Sequence, residues 1–332
     1  MNAPIIAFFN NKGGVGKTTL VYHLSWMYQT LGYRVLSVDL DPQANLTAAF
    51  LDEDRLEAIW SDDREKTIFN SLQPIIKGVG DIADAHLESI APGLKLIVGD
   101  LSLSRFEDYL SSAWGECLDG NEAAVRKASA FWRVIQRAIT MMSADIVLVD
   151  VGPNLGAINR SALIAADFTV IPLAPDLFSL QGLKNLGPTF RRWQQEWEER
   201  KRKNAKLDFE LPTGGMKPLG YIVLQHSVRL DRPARAYEKW MARMPHVYRE
   251  EVLAQTKTYT ISIQNDPECL ALLKHYRSLM PMAQEARKPV FMLAPADGAI
   301  GSHQNTVTEA RAHFQELAEK IIERSETTPK KP

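Results

Sequence analysis

Lys12-Gly13-Gly14-Val15-Gly16-Lys17-Thr18-Thr19 sits between an apolar run, Ile5 to Phe9, and a segment of helical spacing, Leu20, Leu24, Met27 and Leu31, that closes at Gly32. At residue frequencies near 7%, a chance match to six fixed positions comes to roughly one in ten million per start point. Glycines let the backbone curl until its N–H groups face one point, and a helix beginning near Thr18 presents the positive end of its dipole there. Those are the requirements of a phosphate cradle. Lys17 is placed for β- and γ-phosphates and Thr18 for a Mg2+ ion, with Gly13, Gly14, Val15, Gly16 and Thr19 completing the loop.

Four further apolar runs follow: Val35 to Val38, Ile146 to Val149, Phe168 to Ile171 and Leu219 to Leu224. None alternates polar with apolar, so they read as strands buried on both faces of a parallel sheet. Strand, helix, strand in repeated order predicts a doubly wound, mostly parallel α/β sheet with helices on both faces, of the P-loop NTPase type. With 45% apolar residues in 332 and neither an internal repeat nor a Gly/Ser-rich linker, the expectation is one domain over 1–325 and a disordered tail over 326–332.

Charge excludes little globally but is unevenly placed. Lys plus Arg number 39 against 40 Asp plus Glu, a net charge of −1. Residues 51–122 nevertheless hold 16 acids and 6 bases, or −10, and residues 184–250 hold 15 bases and 8 acids, or +7. Cys117 and Cys269 are too far apart for a CxxC pair, and the histidines show no zinc-binding spacing. The first residues carry no secretory pattern, and no run approaches the roughly 18 apolar residues of a membrane span. A cytoplasmic protein without stable membrane insertion is expected.

The phosphate loop departs from the general G-x-x-x-x-G-K-[ST] pattern: Asn11 occupies the first glycine position, and a second lysine, Lys12, follows it. Here the chain resembles the ParA family, within the ParA/MinD group of P-loop ATPases that carry this deviant Walker A motif. Val35 to Asn45, with Asp39 and Asp41, is similar to the family's second motif, and Ile146 to Asp150 to its Walker B strand. Asn159 to Asp167, Ile171-Pro172, Phe178 and Gln181-Gly182 follow in family order. One departure stands out: Asp150 is followed by Val151-Gly152-Pro153, where the family has two successive prolines.

Physical chemistry gives each acid a task. A carboxylate at the C-terminal end of a buried parallel strand faces the phosphate crevice. Asp150 and Asp39 are therefore candidates for Mg2+, and Asp41 for the attacking water, the hydrolytic role that the resemblance also implies. The resemblance further implies ATP-dependent homodimerisation, with Lys12 reaching the partner's phosphates while Lys17 acts within its own subunit. It implies non-specific DNA as a track, a nucleoid-associated location and a ParB-like or other adaptor that stimulates hydrolysis. Arg229, Arg232 and Arg235, spaced by three, are the expected DNA contacts, with Arg191 and Arg192 on the preceding helix. Two other readings share the loop: a MinD-like ATPase of the membrane surface, and a metabolic ATP-dependent ligase or synthetase.

Overall fold

The computed structural model describes residues 3–61, 66–225, 234–256, 261–274, 276 and 278–327. The five apolar runs become β1 (Ile5–Phe8), β2 (Val35–Asp39), β5 (Ile146–Asp150), β6 (Phe168–Leu173) and β7 (Lys217–Gln225). Three strands escape the apolar-run criterion: β3 (Glu88–Ala91), β4 (Leu94–Ile97) and β8 (Cys269–Lys274). The first two are four residues long, carry Glu88 and Lys95, and form an antiparallel hairpin at one edge. The eight strands run in the order β3-β4-β2-β5-β1-β6-β7-β8, and every pair except β3–β4 is parallel.

Parallel register decides where the chemistry lies. Phe8 pairs with Asp150 and Asp150 with Asp39, so three C-terminal strand ends meet at one edge of the sheet. The helices include α1 (Lys17–Thr30), α2 (Asn45–Phe50), α3 (Phe106–Glu116), α4 (Ala157–Ala165), α5 (Leu177–Lys203), α6 (Ala234–Met241) and α7 (Ser302–Thr327).

Side chains alternate across the sheet into two cores. One gathers Phe9, Leu183, Phe190, Trp193 and Trp197 beneath α4 and α5. The other gathers Phe8, Leu20, Leu24, Phe314, Leu317 and Ile321 beneath α1 and α7. Trp193 and Trp197 are thus packing residues, each almost fully buried. The apolar stripe of α7 is likewise spent on the sheet: Phe314, Leu317, Ala318 and Ile321 are buried, and Tyr28 Oη donates to the Ala318 carbonyl at 2.8 Å. Among the described residues no helix is long and apolar enough to cross a membrane. α7 runs through Thr327, and 328–332 lie outside the described residues.

Candidate nucleotide site

The loop from Phe9 to Gly16 joins β1 to α1 and owes its shape to its glycines. Gly14 and Gly16 have φ of 72° and 79°, left-handed values that L side chains rarely adopt. At Gly16 a Cβ would also stand 2.5 Å from Leu224 Cδ1, so the conformation requires glycine and a side chain there would push the leucine methyl aside. Asn10 takes over the bracing of the turn: its Oδ1 accepts from Lys12 N at 3.0 Å and its Nδ2 donates to the Pro172 carbonyl at 2.6 Å. Gly182 of α5 lies against this loop, where a Cβ would meet Asn11 Oδ1 at 2.9 Å.

Four side chains converge beyond the loop. Lys17, Thr18 and Asp41 line a cleft of about 530 Å³ together with Gly13, Gly14, Gly16 and Thr19. Its far end, lined by Leu224, Leu273, Tyr276, Met280 and Phe314, is apolar and aromatic, a surface suited to a planar base. Thr18 Oγ1 donates to Asp150 Oδ2 at 2.7 Å. Asp150 Oδ1 is buried without a hydrogen-bond partner. An orphaned carboxylate oxygen beside a threonine hydroxyl fits a hard divalent cation, which takes oxygen ligands.

Asp39 is engaged differently. Its Oδ2 accepts from Thr47 N and Thr47 Oγ1, both at 2.8 Å, and its Oδ1 accepts from Asp41 N at 3.2 Å. The carboxylate expected beside the metal is therefore turned toward α2, where it ties down the turn that carries Asp41. Burial, with the neighbouring carboxylates adding to it, holds both Asp39 and Asp150 well above the usual carboxylate range. Burial lowers the pKa of Lys17, against the pull of Asp150 and Asp41. Burial thus drives the two carboxyls and the one buried amine toward their neutral forms, a balance that bound phosphate and a cation would reverse.

Lys12 lies at the rim. Its Nζ pairs with Asp176 and sits 5.7 Å from the centroid of the Phe178 ring, which is 72% exposed. Asp176 also caps α5 through Ser179 N at 2.8 Å. Burial raises the Asp176 pKa, but the bonds from Lys12 and Ser179 outweigh it and hold the carboxyl below its ordinary value. The basic candidates are more scattered. Arg191 directs its guanidinium inward, to the carbonyl of Glu251 at 2.7 Å, whereas the largely exposed Arg192 lies 3.9 Å from Glu196. Arg235 lies in α6; Arg229 and Arg232 lie outside the described residues.

Sequence reasoning missed His23, which lines the cleft and stacks on Phe314 at 4.8 Å. Its Nδ1–H donates to the Thr19 carbonyl at 2.7 Å and its Nε2 accepts from Val290 N at 3.1 Å, so the neutral ring is fully used. Burial, against that Thr19 bond, lowers its pKa to about 4. A folded pKa below the unfolded 6.5 means that this stability is intact above pH 6.5 and lost as pH falls toward 4, up to about 3 kcal/mol. In urea unfolding, wild type should therefore lose about 3 kcal/mol more than His23→Gln between pH 7 and 4. Parallel pH profiles would contradict this account of His23.

A glycine-shaped loop at the carboxyl edge of a parallel sheet, with a buried lysine and a threonine–aspartate pair, defines a P-loop nucleotide-binding protein. Residues 3–207 match a family model described as an AAA domain, more than half of the chain. The chain belongs to the ParA family of P-loop ATPases. It is 29% identical over 188 residues to the chromosome partitioning protein ParA of Caulobacter vibrioides, a match over 57% of this chain and 62% of that protein. Among solved structures it is similar to protein DIP2308 of Corynebacterium diphtheriae, with a TM-score of 0.71 and 25% identity over 97% of this chain and 98% of that one. A putative plasmid partition protein of Borrelia burgdorferi, bound to AMPPNP, shares the fold at a TM-score of 0.56 and 18% identity, over 97% and 99% of the two chains. So does cobyrinic acid a,c-diamide synthase of Mycobacterium smegmatis with ADP and magnesium, at 0.56 and 19%, over 99% and 98%.

Proposed function

We propose that this protein is a partition ATPase that binds ATP and Mg2+ in the cleft, pairs with a second copy across it, holds DNA without sequence preference and lets go on hydrolysis. The supporting observation is one cleft lined by Lys17, Thr18 and Asp41, with Asp150 buried behind the Thr18 hydroxyl and Lys12 beside the loop. Lys17 and the loop amides bind the phosphates, and Thr18 and Asp150 hold the metal, which when bound neutralises phosphate charge. Asp41, 6% exposed and fixed by Gln43 N at 3.0 Å, orients the attacking water and receives its proton. A ParB-like or other adaptor stimulates that step, and a DNA or protein cargo is segregated or positioned along the nucleoid.

Lys12 makes the nucleotide an assembly signal. Two triphosphates facing each other repel, and a lysine that crosses onto the partner's phosphates offsets the repulsion. With a non-hydrolysable ATP analogue, light scattering should give a dimer for wild type and a monomer for Lys12→Ala, which still binds nucleotide. A dimer equally strong with ADP, ATP or neither would show the interface to be constitutive.

A further inference from the structure

The loop that follows Asp150 is held from inside the molecule by one buried amide. Asn159, 1% exposed, donates from Nδ2 to the Gly152 carbonyl at 2.9 Å, the Asn154 carbonyl at 2.8 Å and Asn154 Oδ1 at 3.1 Å. Reversing the amide would set its oxygen against those carbonyls, so the acceptors themselves choose the orientation. The consequence is that Asn159 Oδ1 is left buried without a partner. Such an orphan is costly, so the orientation is held by the bonds that Nδ2 makes to the loop.

Gly152 is the layer between this amide and Asp41. A Cβ there would stand 3.4 Å from Asn159 Nδ2 and 3.4 Å from Asp41 Oδ1. The far end of the same loop is closed by Gly156 N on Asn154 Oδ1 at 2.8 Å, and by Glu107 of α3, which accepts from Ala157 N at 2.5 Å and Ile158 N at 2.8 Å. Glycine at 152 gives up the stiffness a proline ring would supply, and the bond from Asn159 restores a restraint at the same peptide.

We propose that Asn159 is a positioning residue for hydrolysis: it fixes the Gly152 peptide against the Asp41 carboxylate and so keeps that base in place beside the phosphate loop. The proposal rests on the reading of Asp41 given above. Because Asn159 is buried and is not among the residues lining the cleft, its loss reaches the rate through Asp41 and leaves ATP affinity alone.

The test compares single-turnover ATP hydrolysis, calorimetric ATP affinity and amide exchange across 151–157 in wild type, Asn159→Ala, Asn159→Thr and Asp41→Ala. Asn159→Ala should hydrolyse about 10- to 100-fold more slowly, the scale of a misplaced catalytic group, with unchanged affinity and faster exchange over 152–156. Asn159→Thr keeps one donor and should recover part of the rate. In the Asp41→Ala background the loss of Asn159 should add nothing. A wild-type rate in Asn159→Ala, an equal further loss in the Asp41→Ala background, or affinity falling in step with rate would each overturn the proposal. Should Asn159→Ala not fold, Asn159→Leu decides: near the same volume but without a donor, it should slow hydrolysis at unchanged affinity, and a wild-type rate there overturns the proposal equally. Wild-type hydrolysis by Asp41→Ala itself would remove the reading of Asp41, and the role of Asn159 with it, a result separate from the others.

Discussion

Lys17→Ala is expected to abolish measurable ATP binding. Lys17 is 7% exposed at the first position of α1, and it is the buried amine of a cleft that Asp41 also lines. Truncation removes the attraction for the phosphates and leaves no lysine inside the loop to replace it. Removing one partner of a buried, hydrogen-bonded charge pair costs about 2–5 kcal/mol, or roughly 30- to 4,000-fold in affinity. The loop itself should survive, because Gly14, Gly16 and the Asn10 bonds shape it without the lysine. Calorimetry on a variant with the melting temperature of wild type isolates the effect. ATP binding as tight as wild type would take this loop out of the nucleotide site.

The second large effect concerns DNA. One subunit's basic segment offers few phosphate contacts, whereas an ATP dimer presents two and gains by multivalency. If about four phosphates are neutralised per dimer, affinity should fall roughly 150-fold between 50 and 200 mM salt, with little change between unrelated sequences. Replacing Arg229, Arg232 and Arg235 together by Glu should remove binding and leave ATP-dependent dimerisation intact. Fluorescence anisotropy on two random duplexes, at several salt concentrations and with each nucleotide, reads both effects. Absence of ATP-dependent binding by wild type at low salt would favour a synthase-like or membrane-surface ATPase instead. Normal binding by the triple variant would move the contact face elsewhere, for instance to Lys239 and Arg243, which flank Trp240 at 5.2 and 5.5 Å.

What could be read from the sequence follows the range of the forces involved. The five central strands announce themselves because a strand buried on both faces must be apolar along its whole length. β3 and β4 do not, because an edge hairpin of four-residue strands is paired to the sheet on one side and tolerates Glu88 and Lys95. The phosphate loop is legible because its requirements are local: two left-handed glycines, a lysine and a hydroxyl in fixed order. His23 was not, since its partners Val290 and Phe314 are supplied from hundreds of residues away. The same is true of Asp39. A carboxylate at a strand end is visible in the sequence, but its capture by Thr47 depends on how the following turn folds back.

α5 gives the molecule a property that no single site describes. Its first turn is capped by Asp176, the residue that holds Lys12, and further along Gly187 packs so closely on the π-helical turn Tyr248–Val252 that a Cβ there would come within 1.8 Å of the Glu251 carbonyl. Arg191 bonds that same carbonyl, and Arg249 of the turn pairs with Asp266, to which Tyr221 of β7 donates at 2.6 Å. At 1.5 Å per residue, Arg191 stands roughly 20 Å along the axis from Asp176. One continuous helix therefore ties the partner of Lys12 to the turn Tyr248–Val252, with Pro188 interrupting its hydrogen-bond ladder between Asp176 and Arg191. The turn end is clamped backbone against backbone, so the interruption at Pro188 is where the helix has room to give.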